Sequence, residues 1–157
     1  MKIGISSDFA GFRLKEKVRQ HLIDKGHEVL PFGVLSEDKY KGYVDAATEL
    51  ATAVQNGEVE RGVIFCGTGA GVSVACNKFK GIYCIACESL FTAPKTAEIN
   101  KANILAMGEN VVTPAMAFEM VDSWIARNFG DDCDDARKSR LDGLFDELKA
   151  LEDRNFK

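Results

Sequence analysis

Residues 61–71 of this 157-residue chain read RGVIFCGTGAG, an apolar run followed by a loop in which every second residue is glycine. The run from Val63 to Phe65 is typical of a strand buried on both faces, as in a parallel sheet. The glycines let backbone amides approach an anion closely, and a helix predicted over residues 71–78 adds its positive dipole end. Because ligands of open α/β sheets bind beyond the carboxyl ends of strands, this stretch predicts both the fold class and an anion site.

Strand and helix patterns alternate along the rest of the chain. Strands are predicted over residues 2–7, 27–32, 61–66, 81–86 and 102–107. Helices are predicted over residues 12–25, 43–55, 71–78, 90–100, 114–128 and 135–152. This alternation predicts a doubly wound parallel sheet with helices on both faces. The length fits one domain over residues 1–157, whose last part, 130–157, forms a C-terminal helical extension.

Composition limits the partners and the cellular location that the protein is expected to have. The net charge of −4 does not favour a nucleic-acid surface, and no apolar run is long enough for a bilayer. The amino-terminal residues lack the features of a signal peptide, so we expect a cytoplasmic protein without membrane partners. An odd count of five cysteines argues against a disulfide framework. The pair Cys84 and Cys87 has redox or zinc spacing, but its position in a predicted strand disfavours both roles.

Cys66 is the most informative single residue of the glycine-rich loop. A thiol among unpaired amides at a helix start is expected to ionise readily and to react as a thiolate. The same position also suits a small buried apolar side chain, and the glycines also suit a tight packing turn. The loop lacks the third glycine of a dinucleotide fingerprint and the Gly-Lys-Ser/Thr of a phosphate loop, which disfavours nucleotide binding.

Further candidates lie near other strand and helix ends. Asp8 follows the first strand and either contacts a substrate hydroxyl or caps the next helix. Asn100 precedes the fifth strand, where asparagine commonly serves a turn. Arg137 and Arg140 share one face of the last helix and suit a phosphate, although exposed arginines are often merely solvated.

Four segments together resemble one known family. They are residues 1–16 (MKIGISSDFAGFRLKE), 26–33 (GHEVLPFG), 61–82 (RGVIFCGTGAGVSVACNKFKGI) and 100–114 (NKANILAMGENVVTP). Their order and spacing resemble ribose-5-phosphate isomerase B and the galactose-6-phosphate isomerase subunits, over almost the whole chain. The resemblance implies a five-stranded sheet of order 2-1-3-4-5 and homodimers or homotetramers with active sites at the subunit interface. It further implies aldose–ketose isomerisation of a sugar phosphate without metal or nucleotide cofactor.

The resemblance also implies roles for individual residues. Cys66 matches the base that moves a proton through a cis-enediolate, and Thr68 or Asp8 is expected to relay a proton between the two oxygens. The residues expected to bind the substrate or its phosphate are Gly67, Gly69, Gly71, Tyr43, Asn100, Arg137 and Arg140.

Two family histidines linked to ring opening and substrate binding are absent, because Phe9 and Ile99 stand in their places. The two histidines of this chain, His21 and His27, lie outside the motifs and are interpreted as structural. Either a carboxyl group of Asp8, Glu88 or Glu98 replaces the missing histidines, or the substrate has no ring to open. A tetrose 4-phosphate is such a substrate, whereas pentose 5-phosphates and hexose 6-phosphates are not. A catalytically silent sugar-phosphate-binding or partner subunit is the alternative hypothesis.

Overall fold

The computed structural model describes residues 1–156 and contains a single five-stranded sheet. The strands are β1 Lys2–Ser7, β2 Glu28–Pro31, β3 Arg61–Cys66, β4 Cys84–Ala86 and β5 Ile104–Gly108. The helices are α1 Phe12–Asp24, α2 Tyr43–Gln55, α3 Ala70–Cys76, α4 Thr92–Asn100, α5 Pro114–Ile125 and α6 Asp135–Asn155. Every strand pair is parallel, which confirms the predicted α/β fold class.

The order of the strands is β2-β1-β3-β5-β4, so the expected order 2-1-3-4-5 was wrong for the last two strands. β5 pairs directly with β3, and Cys66 lies opposite Gly108 in that ladder. The burial of β4 and β5 explains why β5 is the inner strand and β4 the edge strand. All five residues of β5 are buried, as in a central strand, whereas β4 has three residues and leaves Ala86 exposed at the edge.

Side chains that alternate along the strands divide the core between the two faces of the sheet. One face packs against α1, α4 and α5, with Phe65 and Trp124 among its largest buried side chains. The other packs against α2 and α3, where Leu50 fits so closely that a Cβ atom at Gly4 would lie 2.5 Å from its Cδ1. Cys66 lies on this second face.

Several predicted element boundaries were off by one to three residues, and two of them have a clear local reason. The fourth strand begins at Cys84 rather than residue 81, because Gly81 has a positive φ of 78° and belongs to the preceding turn. The fifth helix ends at Ile125 rather than residue 128. There the Arg61 guanidinium donates to the carbonyls of Trp124 and Arg127 and thereby ends the helix.

The long helix α6 lies beside the amino-terminal end of β4. The Phe145 ring meets the Tyr83 ring edge to face at 5.3 Å, and the Glu152 carboxylate accepts from the Tyr83 hydroxyl at 3.1 Å. Tyr83 immediately precedes β4, which fixes α6 at that edge. Within residues 1–156, no helix combines the length and the apolarity that crossing a membrane requires.

An apolar stripe of α6 stays about half exposed in the described chain. It consists of Leu144, Leu148 and Leu151, whose exposed fractions are 55%, 41% and 48%. The spacing of three and four residues places all three on one helix face. Contiguous exposed leucines of this kind are typical of surfaces that another protein covers.

Candidate active site

Cys66 is the last residue of β3, and the loop that follows it contacts its thiol. Cys66 is 5% exposed, and the Gly69 amide donates to its Sγ at 3.1 Å. That amide points at the sulfur because Gly69 has a φ of +81°, a conformation that glycine adopts without strain. The loop therefore places a backbone hydrogen-bond donor directly on the Cys66 sulfur.

The end of β5 holds this loop from the other side. The Glu109 amide donates to the Cys66 carbonyl at 2.9 Å, and the Asn110 amide donates to the Gly67 carbonyl at 3.0 Å. Gly108 passes so close to Thr68 that a Cβ atom would lie 2.5 Å from the Thr68 carbonyl carbon. The Asn110 side chain is exposed, with its Nδ2 beside Gly67.

Sequence reasoning missed residues 108–110 at the site. The expected strand order placed β4 beside β3, so it gave no reason to expect the end of β5 next to the loop after Cys66. The available signal was a buried apolar strand that ends in glycine, since glycine in that position often marks close approach of another backbone.

Asp8 lies beside Cys66 because β1 and β3 are neighbours, and the Asp8 amide donates to the Phe65 carbonyl at 3.2 Å. The Asp8 carboxylate accepts from the amides of Ala10 and Gly11, so the expected capping role is confirmed. Only 6% of Asp8 is exposed. This desolvation raises the pKa of Asp8, with a further contribution from the Glu109 charge, against the lowering effect of the two amides.

Tyr43, Thr68 and Phe9 complete the carboxyl edge of the sheet. The Tyr43 ring, at the first position of α2, lies against Gly71, 3.2 Å from where a Cβ atom would stand. The exposed Thr68 hydroxyl accepts from the Ala70 amide at 3.3 Å. Phe9 is 55% exposed and its ring lies 4.9 Å from that of Tyr40. A single copy therefore brings Asp8, Tyr43, Cys66 and the loop of residues 67–71 together.

A cleft of about 340 Å³ opens next to these residues, large enough for a small sugar phosphate. Its lining mixes aromatic, basic and acidic side chains: Phe9, Phe12, Arg13, Val34, Glu37, Lys39 and Glu109. Cys66 does not line this cleft, and no histidine lines it either.

Asn100, Arg137 and Arg140 do not join the group around Cys66. Asn100 is the last residue of α4, and α4 leads back to the end of the sheet at which the parallel strands begin, shortly before β5. The five residues of β5 then separate that end from Gly108, a span of roughly 17 Å. Arg137 and Arg140 are exposed on the first turns of α6.

The acidic replacements considered for the missing histidines differ in their surroundings. The Glu98 side chain is 4% exposed, and it pairs with Lys95 and, at 3.4 Å, with Arg127. Both cations hold Glu98 in a structural network, which disfavours it as a free acid or base. Glu88 is exposed in the loop after β4. Of the three carboxyl groups, Asp8 is the one that lies beside Cys66.

The Cys84 and Cys87 thiols are buried and free. The pKa of Cys84 is raised, first by its hydrogen bond with the Cys76 thiol and then by burial. Burial also raises the pKa of Cys87. Raised pKa values keep these thiols neutral, which suits packing rather than reactivity.

Comparison with known proteins places this geometry in a family. A sequence model described as Ribose/Galactose Isomerase matches residues 3–143. The chain is 37% identical, over 98% of its length and 96% of the relative's, to a 4-deoxy-4-sulfo-D-erythrose isomerase of Clostridium sp. strain MSTE9. It is 38% identical to ribose-5-phosphate isomerase B of Escherichia coli K12, over 82% of this chain and 85% of that protein. It is 36% identical to D-erythrulose-4-phosphate isomerase 2 of Mycolicibacterium smegmatis, over 82% and 86% of the two chains.

Solved structures agree with these matches. The chain superposes on Clostridium thermocellum ribose-5-phosphate isomerase B with a TM-score of 0.89 and 36% identity, over 98% of this chain and 99% of the other. The family match covers the glycine-rich loop, Asp8 and Cys66 as well as the sheet. The chain therefore belongs to the Ribose/Galactose Isomerase family.

Proposed function

We propose that this chain interconverts an aldose and a ketose of four carbons that carries an anion at C4, with Cys66 as the base. The observation that carries the proposal is the Cys66 sulfur, held by the Gly69 amide beside Asp8 in a neighbourhood without histidine. Such a site can move a proton between neighbouring carbons, and it lacks the group that opens a sugar ring near neutral pH.

The chemistry needs one base, one oxyanion site and one proton relay. The Cys66 thiolate removes the hydrogen from the carbon next to the carbonyl, which leaves a cis-enediolate, and returns the proton to the neighbouring carbon. Backbone amides of residues 67–71 stabilise the developing oxyanion. The Thr68 hydroxyl or the Asp8 carboxyl moves a proton between the two oxygens. The raised pKa of Asp8 supports a carboxyl group that can donate.

The missing histidines support an open-chain substrate. A tetrose whose C4 carries an anion has no hydroxyl left to close a five-membered ring, so isomerisation needs no ring opening. Phe9 and Tyr40 add an exposed apolar wall beside the site. Two relatives named above, a 4-deoxy-4-sulfo-D-erythrose isomerase and a D-erythrulose-4-phosphate isomerase, take their names from four-carbon substrates.

Between sulfonate and phosphate, we place the sulfonate first. The match to the sulfo-sugar isomerase covers 98% of the chain, against 82% for the erythrulose-phosphate relative. Either group ends in a tetrahedral anion that two arginines can bind through several hydrogen bonds.

A second copy of the chain completes this site. Asn100 lies at the end of α4, where the amino-terminal ends of the strands meet, and the first turns of α6 lie beside it, because Lys138 and Lys101 both contact the Phe129 ring. We therefore assign Arg137 and Arg140 to the anion of a substrate held by another copy. The exposed stripe of Leu144, Leu148 and Leu151 on the same helix as the arginines supports association through residues 130–157. In a homodimer with two-fold symmetry, each site then draws its base from one copy and its anion-binding residues from the other.

A silent binding or partner subunit is the second candidate, and the loss of both family histidines favours it. The Cys66 geometry argues against it, because binding alone needs no thiol that accepts a backbone hydrogen bond beside a buried carboxyl group.

Activity on a substrate panel distinguishes the two candidates. We expect turnover of 4-deoxy-4-sulfo-erythrose or erythrose 4-phosphate, slow or no turnover of ribose 5-phosphate and galactose 6-phosphate, and a loss of about 100-fold or more in Cys66→Ala. Cys133→Ala, at a partly exposed cysteine of the α5–α6 connection, is the matched control and keeps full activity. Preference for the pentose phosphate contradicts the open-chain substrate, and inactivity on the whole panel favours the binding subunit.

Complementation tests the shared site. Cys66→Ala and Arg140→Ala are each expected to be nearly inactive, but their coexpression restores about one quarter of wild-type activity, because half of the dimers carry one intact site. Coexpression of Cys66→Ala with Asp8→Ala is the control and restores nothing, since both changes fall in the same half of the site. Recovery in the control, or none in the first pair, contradicts the division between copies.

The buried Asp8 carboxyl predicts a pH-dependent stability difference. The pKa of Asp8 in the folded chain is raised above its ordinary value of 3.8. Between the unfolded and the folded pKa, the folded chain binds more protons than the unfolded chain. The stability contributed by Asp8 therefore falls as pH rises through that interval. Asp8→Asn keeps an oxygen for the two amides and has no charge to desolvate. We expect its melting temperature to exceed that of the wild type increasingly from pH 3 to pH 7. A constant difference across that range contradicts the desolvation.

A further inference from the structure

We propose that Lys101 is a positioning residue that holds Asn100 and the arginines of α6 in the geometry required by the second half of the site. This inference rests on the proposed function. It starts from two independent features of Lys101, its backbone conformation and the surroundings of its ammonium group.

The backbone of Lys101 is in the left-handed region, with φ 52° and ψ 32°, directly after the last residue of α4. Glycine or asparagine usually takes this position at a helix end, because a side chain with a Cβ atom is strained there. Strained backbone of this kind persists where the surroundings fix it, and it is concentrated at functional sites. A lysine in this conformation therefore calls for a reason in its side chain.

The ammonium group supplies that reason, because it lies over two aromatic rings from different segments. It is 4.2 Å from the centroid of Phe129, between α5 and α6, and 4.0 Å from the centroid of Phe145, in the middle of α6. Both distances are within the range of a cation–π interaction. Among the described residues, no carboxylate lies within 4.0 Å to compete for Lys101. The two rings are themselves neighbours, with centroids 5.9 Å apart.

This arrangement links the proposed anion-binding residues to one another. Asn100 immediately precedes Lys101, and it lines a cleft of about 110 Å³ together with Leu141 and Phe145. Leu141 follows Arg140 on α6. Lys101 therefore fixes the end of α4, with Asn100, against the part of α6 that carries Arg137 and Arg140. It touches neither Cys66 nor its loop, so it acts through these residues and not on the reacting carbons.

The test compares Lys101→Met, which keeps the length of the side chain and removes its charge, with Lys101→Arg, which keeps a cation over the rings. We expect Lys101→Met to raise KM for the four-carbon substrate about three- to tenfold while kcat stays within about twofold. Lys101→Arg restores KM, and the control Lys78→Met, at an exposed lysine after α3, leaves both constants unchanged. Unchanged KM in Lys101→Met, or equal losses in the methionine and arginine variants, overturns the proposal.

Amide hydrogen exchange separates failure of this inference from failure of the proposed function. Lys101→Met is expected to accelerate exchange at residues 137–145 without accelerating it in α1, whether or not the wild type is active on the panel. Unchanged exchange at 137–145 overturns the positioning role. Faster exchange together with an inactive wild type supports the positioning role of Lys101 and contradicts the proposed isomerase activity.

Discussion

The close approach of β5 to the loop after β3 is the constraint on which the proposed active site depends. Without a side chain at Gly108, the end of β5 lies directly against Thr68, and two amides beyond it hold the carbonyls of Cys66 and Gly67. The loop can then turn sharply enough at Gly69 to aim an amide at the Cys66 sulfur. Any side chain at Gly108 would push the loop outward and remove that amide from the thiol.

The same edge of the sheet explains the chemistry assigned to Asp8. Parallel pairing of β1 with β3 places its carboxyl group beside Cys66, and burial there raises its pKa. A buried carboxyl group lowers stability near neutral pH, and its capping hydrogen bonds offset only part of that cost. Functional sites commonly retain such locally unfavourable groups, because a proton relay needs a pKa closer to the working pH.

Local sequence was sufficient to predict part of the fold and part of the candidate site. The apolar run of residues 63–65 and the glycines after it predicted the strand, the loop and Cys66, because each signal lies within a few neighbouring residues. The strand order, the position of residues 108–110 and the contacts on which the proposed role of Lys101 rests were not predictable in this way. They depend on which strands pair and on rings 28 and 44 residues beyond Lys101, at Phe129 and Phe145, that meet only in the folded chain. The proposed division of the site between two copies was implied in outline by the family resemblance, but the placement of the end of α4 and of α6 away from Cys66 is seen only in the folded chain.

The proposed function requires Cys66 to transfer a proton, and not a hydride, between neighbouring carbons. The most direct measurement is prolonged equilibration of the four-carbon substrate with the enzyme in D₂O, followed by mass spectrometry and proton NMR of aldose and ketose. We expect deuterium at the carbon beside the carbonyl with wild-type enzyme and none above background with Cys66→Ala, because the thiol exchanges its proton with solvent. Full interconversion with complete retention of the original hydrogen would contradict it.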